Sequence, residues 1–350
     1  MLQACALGKT VSSLGYRLLF LSGIVVRPDF RSKGKAWLDR IGLLQPFLKR
    51  RMKRFSSVSE RKFHAFKHRV LNVIRVYTDG QLKRLVRHTD VFLSGSDQIW
   101  NVVHDFNPFY FLDFAEDAKR ISYASSIGTG SVPEEFRPAV KALLEKYSHI
   151  SVREKSGAAA LSELTGRADI EVVLDPVFLL DERGWMSLCR GSCHLVPGEY
   201  LLCYFVGDRP QYSGQLERVK NRTGIGRIVV IPSVESGGSE AFGGEIVGDA
   251  GPEDFINLLK DAKMVCTDSF HAAAMSLIFA KDFVVFKRFS DEDPASQNSR
   301  IYDLLETFGV QNRWYDSGNW ETPVDKAAVR DKLEEARETS LSYLVHAIEN

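Results

Sequence analysis

Long apolar runs are scarce in this chain. The strongest one near the start, Leu18 to Val26, falls well short of the roughly 20 residues a membrane-crossing helix needs, and it reads as a strand. No basic leader with an apolar core and a small-residue cleavage site precedes it, so a cytosolic protein is expected. Excess charge of one sign is also missing, since 46 Lys plus Arg face 45 Asp plus Glu. That balance argues against general attraction to nucleic acid, so any cationic site has to be local. Cysteine is sparse and odd in number: Cys5, Cys189, Cys193, Cys203 and Cys266 set up no disulfide framework. Cys189, Cys193 and His194 lack a second pair at zinc spacing, and no metal is expected.

What is present is an ordinary globular composition, 44% hydrophobic over 350 residues, more than one core usually accommodates. Two domains are therefore expected. Leu7, Val11 and Leu14 recur at helical spacing, so the chain opens on a helix where an open α/β domain usually opens on a strand. From 31 to 75 the composition turns basic, including Lys49-Arg-Arg-Met-Lys-Arg54, and reads as a helical insertion. Two uses stand open for it besides a solvated face: a cap over an anionic substrate, or a patch meeting a lipid-linked glycan at the membrane surface.

Apolar runs at Val91–Ser94, Arg120–Ala124, His149–Val152 and Ile170–Leu174 predict strands, with helices at Pro133–Lys146 and Lys155–Leu164 separating the later ones. A second series begins at Tyr200–Val206 and continues through Arg227–Ile231, Met264–Thr267 and Phe283–Phe286, with helices at Pro252–Lys260 and His271–Phe279. Alternation of this kind predicts an α/β fold with mainly parallel sheets. The expected division is an N-terminal Rossmann-like domain over 1–190, a C-terminal one over 198–322, and a closing helix in 323–350.

Ligands of such folds sit where strands end in loops, and four strand ends carry chemistry. Ser94-Gly-Ser-Asp-Gln-Ile-Trp-Asn101 offers close backbone approach with Ser96, Asp97 and Gln98 as polar contacts. Arg153 follows a strand, where its guanidinium suits a carboxylate or phosphate; a salt bridge to Glu154 is the plainer alternative. At Val265-Cys-Thr-Asp-Ser-Phe-His271 a strand runs into Asp268, Ser269, Phe270 and His271 at a helix start, a place that favours an anion and puts a proton-exchanging imidazole beside it. Gln297-Asn-Ser-Arg300 adds a second guanidinium.

These segments, in this order, resemble the polysaccharide pyruvyl transferase family. The resemblance rests on Gly-Ser-Asp-Gln-Ile-Trp-Asn at 95 to 101, Ile-Ser-Tyr-Ala-Ser-Ser-Ile-Gly at 121 to 128, and Ser-Val-Arg-Glu-Lys-Ser-Gly at 151 to 157. Val173-Leu-Asp-Pro-Val177 with Trp185, Gly251-Pro-Glu-Asp-Phe255, Thr267-Asp-Ser-Phe-His271 and Ser299-Arg300 with Leu304-Leu305 complete it. It implies two Rossmann-like domains facing across a GT-B-type cleft, phosphoenolpyruvate as donor with no further cofactor, and a glycan or lipid-linked oligosaccharide as acceptor. It also implies His271 and Arg153 as the principal active-site residues, with Arg300, Ser269 and Phe270 around the donor and the Ser96–Gln98 segment lining the cleft.

Two departures stand out. Family members usually begin with a strand and an Asn-Tyr-Gly-type loop where this chain has Met1, which suggests a missing first strand, and Ala272 replaces a common glycine. Fold alone does not fix function, so nucleotide-sugar glycosyl transfer and an inactive relic of the family are the rival expectations.

Overall fold

The computed structural model describes residues 1–22, 57–103, 106–115, 118–189, 196–233, 242–291, 293 and 296–350. Most of the predicted basic insertion, residues 193 and 194, and the last part of the Leu18–Val26 run lie outside them.

The N-terminal half runs α1 (Leu2–Ser13), β1 (Phe20–Ser22), α2 (Ser57–Val70), β2 (Val73–Arg75), α3 (Asp79–Arg87), β3 (Val91–Asp97), β4 (Lys119–Ser125), α4 (Arg137–Leu144), β5 (Ser151–Val152), α5 (Lys155–Thr165), β6 (Glu171–Val172) and α6 (Glu182–Leu188). The C-terminal half runs β7 (Leu201–Tyr204), α7 (Gln211–Thr223), β8 (Ile228–Val230), β9 (Glu245–Ile246), α8 (Pro252–Asp261), β10 (Met264–Thr267), α9 (Phe270–Ile278), β11 (Asp282–Val285), α10 (Ser299–Phe308) and α11 (Lys326–Glu349). All strand pairings are parallel: β3-β4-β5-β6 in the first half, β11-β10-β7-β8-β9 in the second, and a separate β1-β2 pair. The α/β expectation of two Rossmann-like units holds. In the second sheet the chain order reverses between β7 and β10, and a crevice opens at the carboxyl ends of strands flanking such a point.

Two differences from the sequence reading bear on the site. Ser94 to Asp97 belong to β3 itself rather than to a loop after it, because the ladder to β4 continues to Asp97–Ser125. Asp97 ends the strand at φ 77°, a left-handed turn that aspartate tolerates better than bulkier residues. The helix expected over Pro133–Lys146 begins instead as a short 3-10 turn, Glu134–Phe136, before α4.

The halves meet over an apolar seam. A 3-10 turn at Pro176–Leu179 inserts Val177 and Phe178, both essentially sealed from solvent, into a cluster with Ala273, Ala274, Leu305 and Phe308 of the C-terminal half. Burying such side chains stabilises by about 1.5–3 kcal/mol each. Trp185 of α6 packs in the same cluster and donates its indole N–H to the Val177 carbonyl at 3.0 Å, which fixes the turn. Crossing contacts run both ways. The closing helix α11 returns to the first sheet through Tyr343, whose hydroxyl donates to the Ser122 carbonyl at 2.8 Å. From the opposite direction, α2 docks on α8, with Lys62 2.8 Å from Asp254 and the Ser59 hydroxyl donating to the Ala250 carbonyl. The strip holding the predicted site is therefore braced from both halves.

Candidate active site

Asp175 forms the centre of the polar cluster. It stands where β6 gives way to the Pro176–Leu179 turn, and its Oδ1 accepts from the Val177 N–H at 3.0 Å, the local bond that starts the turn. Its other oxygen, Oδ2, accepts from the Ser96 hydroxyl at 2.8 Å and from the Arg153 guanidinium at 2.8 Å. His271 Nε2 from α9 comes within 3.7 Å of the same oxygen. The Asp175 side chain is completely buried, and burial alone would raise its carboxyl. The adjoining His271 and Arg153 outweigh that and hold it far below the ordinary carboxylate range.

Arg153 is shared among acids. Its Nε donates to Glu154 at 2.9 Å, one terminal nitrogen goes to Asp175, and the other lies 3.6 Å from Asp97, too far for a hydrogen bond. That second terminal nitrogen is buried with no hydrogen-bond partner among the described residues. The guanidinium also stacks over the Phe270 ring, 4.7 Å from its centroid. The anticipated pairing with Glu154 is thus present, yet it leaves one donor of the fork uncommitted. Burial acts against the positive charge of Arg153, and Glu154, Asp175 and Asp97 more than offset it, so its proton is held more tightly than in a free arginine.

Arg300 has the opposite surroundings. It lies at the start of α10, is buried, and has no carboxylate within 4.0 Å among the described residues; its terminal nitrogen donates to the Gln297 side chain at 2.8 Å. The Gln98 amide lies 2.7 and 3.0 Å from the two terminal nitrogens, so its oxygen faces them. Burial, followed by the like charge of Arg153, pushes Arg300 down to about 9. A guanidinium does not give up its proton in proteins, so this displacement registers a positive charge that Glu154 and Asp97 offset only in part. Arg288, beyond β11, donates to the same Gln297 oxygen at 3.1 Å and also has no acid within salt-bridge distance among the described residues.

The remaining predicted residues divide into two groups. Asp97 accepts from the Gln3 amide at 3.0 Å; burial would raise it, but Arg153 and His271 hold it below the usual range. Ser269 caps α9, and Phe270 supports Arg153. Asp268 turns away from the cluster. Its two oxygens accept from the Val206 and Gly207 N–H groups at 2.6 and 2.8 Å and from the Tyr212 hydroxyl at 3.0 Å, tying β7 to β10. Burial raises the Asp268 carboxyl despite those donors.

Sequence reasoning gave no site role to Asp175, Gln297 or Arg288. Asp-Pro at 175 reads locally as a turn start, which it is. Nothing in the local sequence shows that the carboxylate's second oxygen is buried between two halves of the molecule. Among the described residues no group of three His, Cys, Asp or Glu side chains is arranged to hold a metal ion.

The two parallel sheets, with the polar cluster at their junction, make a GT-B-like fold. The chain aligns with a glycosyltransferase from Rickettsia africae at 11% identity and a TM-score of 0.50, over 99% of this chain and 94% of that one. It also aligns with Anabaena Alr3699/HepE, solved in complex with UDP and glucose, at 12% identity and a TM-score of 0.46, over 93% and 98% of the two chains. No curated protein matches the sequence. The polysaccharide pyruvyl transferase pattern matches residues 1–288, and the chain belongs to that family. Among the described residues no helix is long and apolar enough to cross a membrane.

Proposed function

We propose that this protein transfers a pyruvyl group from phosphoenolpyruvate to two hydroxyls of a glycan or lipid-linked oligosaccharide, forming a ketal. The observation that carries the reading is Arg300, a buried cation with no acid within salt-bridge distance among the described residues, sharing the Gln297 oxygen with Arg288 and near Arg153 with its open donor. A cation buried without a counter-charge is costly unless a ligand supplies one. Phosphoenolpyruvate carries a phosphate and a carboxylate on adjacent atoms, so it matches several converging guanidinium groups.

In this reading the arginines orient the donor and offset its charge, which costs little reorganisation in a buried site. His271 delivers a proton to the methylene carbon, leaving an oxocarbenium-like centre at the neighbouring carbon. A first sugar hydroxyl attacks that centre and its proton is released. The C–O bond to phosphate then breaks, and a second hydroxyl closes the ketal as its proton leaves. Of the two protons given up by the hydroxyls, one replaces the proton spent on the methyl group and the other leaves with the phosphate. The reaction needs no redox partner.

The test is mass spectrometry of candidate lipid-linked oligosaccharides incubated with phosphoenolpyruvate and the full chain, together with calorimetric titration of the donor. A pyruvyl ketal adduct is expected, and Arg300→Ala should weaken phosphoenolpyruvate binding at least about tenfold, the loss of one charge-assisted contact. Binding and stabilisation by a nucleotide sugar but not by phosphoenolpyruvate would replace this reading with glycosyl transfer.

A further inference from the structure

We propose that Asp175 is the positioning residue of this site, a buried carboxylate that holds the His271 imidazole and the Arg153 guanidinium in one register across the seam between the two halves. The inference builds on the pyruvyl-transfer reading for its kinetic arm, while its structural arm stands without it.

The geometry is specific. One oxygen of Asp175 is committed to the Val177 N–H. The other faces three donors at once: Ser96 and Arg153 from the first sheet at 2.8 Å each, and His271 from the second at 3.7 Å. His271 Nε2 is buried and without a hydrogen-bond partner among the described residues, and Asp175 Oδ2 is the acidic oxygen within ion-pair distance of it. An approach of less than an ångström would complete that bond. Because Nε2 turns inward, the opposite edge of the ring is the one left for substrate, and about a quarter of the side chain remains exposed. Among the described residues the ion pairs link imidazole and guanidinium through this carboxylate, and Phe270, stacked on Arg153 and edge-on to His271, closes the loop.

A neutral side chain of the same shape can keep the turn and the Ser96 contact but loses the charge. Among the described residues, the charged groups facing His271 include Asp175 itself and Asp97 at the end of β3, with Arg153 after β5 between the two carboxylates. Asp175 is the nearest of the acids. Its removal therefore takes away the acidic oxygen that faces Nε2.

The experiment follows the His271 ring by nitrogen-detected NMR in the full-length protein, with His271→Gln used to assign the signal. In Asp175→Asn the His271 Nε2 signal should move from its position in the unmodified protein, because the carboxylate oxygen facing that nitrogen is gone. Turnover with phosphoenolpyruvate should fall about 100-fold in kcat, with KM for the donor changed less than about threefold because Arg300 and Arg288 still hold it. A carboxylate with no hold on the imidazole would leave the Nε2 signal in place, so an unchanged signal in folded Asp175→Asn overturns the proposal. Where that variant does not fold, Ser96→Ala takes over. It removes a donor from the same carboxylate oxygen, and the Nε2 signal should again move; no movement would overturn the proposal equally. If the signal moves but the unmodified protein shows no pyruvyl transfer, the positioning role stands and the reaction assignment falls.

Discussion

At the scale of single residues, the cluster depends on small backbone conditions that no charge pattern reveals. Gly128 sits at φ +74°, and a Cβ there would lie 2.5 Å from the Asn101 amide nitrogen and 2.7 Å from the Gln98 amide. Gly128→Ala is therefore expected to lose about 1–2 kcal/mol of stability in denaturant unfolding, from strain and crowding together. Because the displaced amide is the one facing Arg300, donor affinity should fall in the same variant, as calorimetry would show. Arg153, His271 and Arg300 were legible as chemistry-bearing residues because each stands at a strand end or helix start. Asp268 was legible for the same reason, yet its carboxylate serves β7 and α7 instead of the cleft. Local sequence marks where a side chain stands and leaves open which way it turns.

At the scale of elements, the apolar runs at Val91, Arg120, Tyr200, Met264 and Phe283 all became strands, since buried parallel strands need continuous hydrophobic stretches. β9, with both residues exposed, offered no such run and went unread, as did α6, only seven residues long. That short helix matters because Trp185 clamps the turn that carries Asp175. Trp185→Ala should cost about 3–5 kcal/mol in denaturant unfolding, the usual range for emptying a buried large aromatic. Relaxation of the Val177 carbonyl would carry Asp175 with it, so residual folded protein should also show weakened activity.

Across the whole molecule, two acids of the site contribute to the response to pH. Asp175 and Asp97 are both held below the unfolded carboxylate range of about 4, so the unfolded chain takes up protons first as the medium acidifies. Their contribution to stability is complete at neutral pH and is lost as pH falls below about 4. Melting temperatures followed from pH 7 to 3 should show the gap between the unmodified protein and Asp175→Asn narrowing toward acid; a gap that widens would contradict this assignment.

The sequence by itself determined the α/β class, the two successive parallel series and the membership in a pyruvyl transferase family, because these follow from hydrophobic periodicity and short ordered motifs along the chain. It also marked four of the site's cationic or titratable side chains, Asp97, Arg153, His271 and Arg300. Only the tertiary structure decided that Asp175 joins Ser96, Arg153 and His271, that Arg300 lies buried with no acid within salt-bridge distance among the described residues, and that Asp268 faces elsewhere. The reason is physical: these relations join segments from 22 residues apart, Arg153 to Asp175, to 79 for Ser96 to Asp175 and more for His271, and form where the two halves meet, so no local pattern of spacing or propensity encodes them.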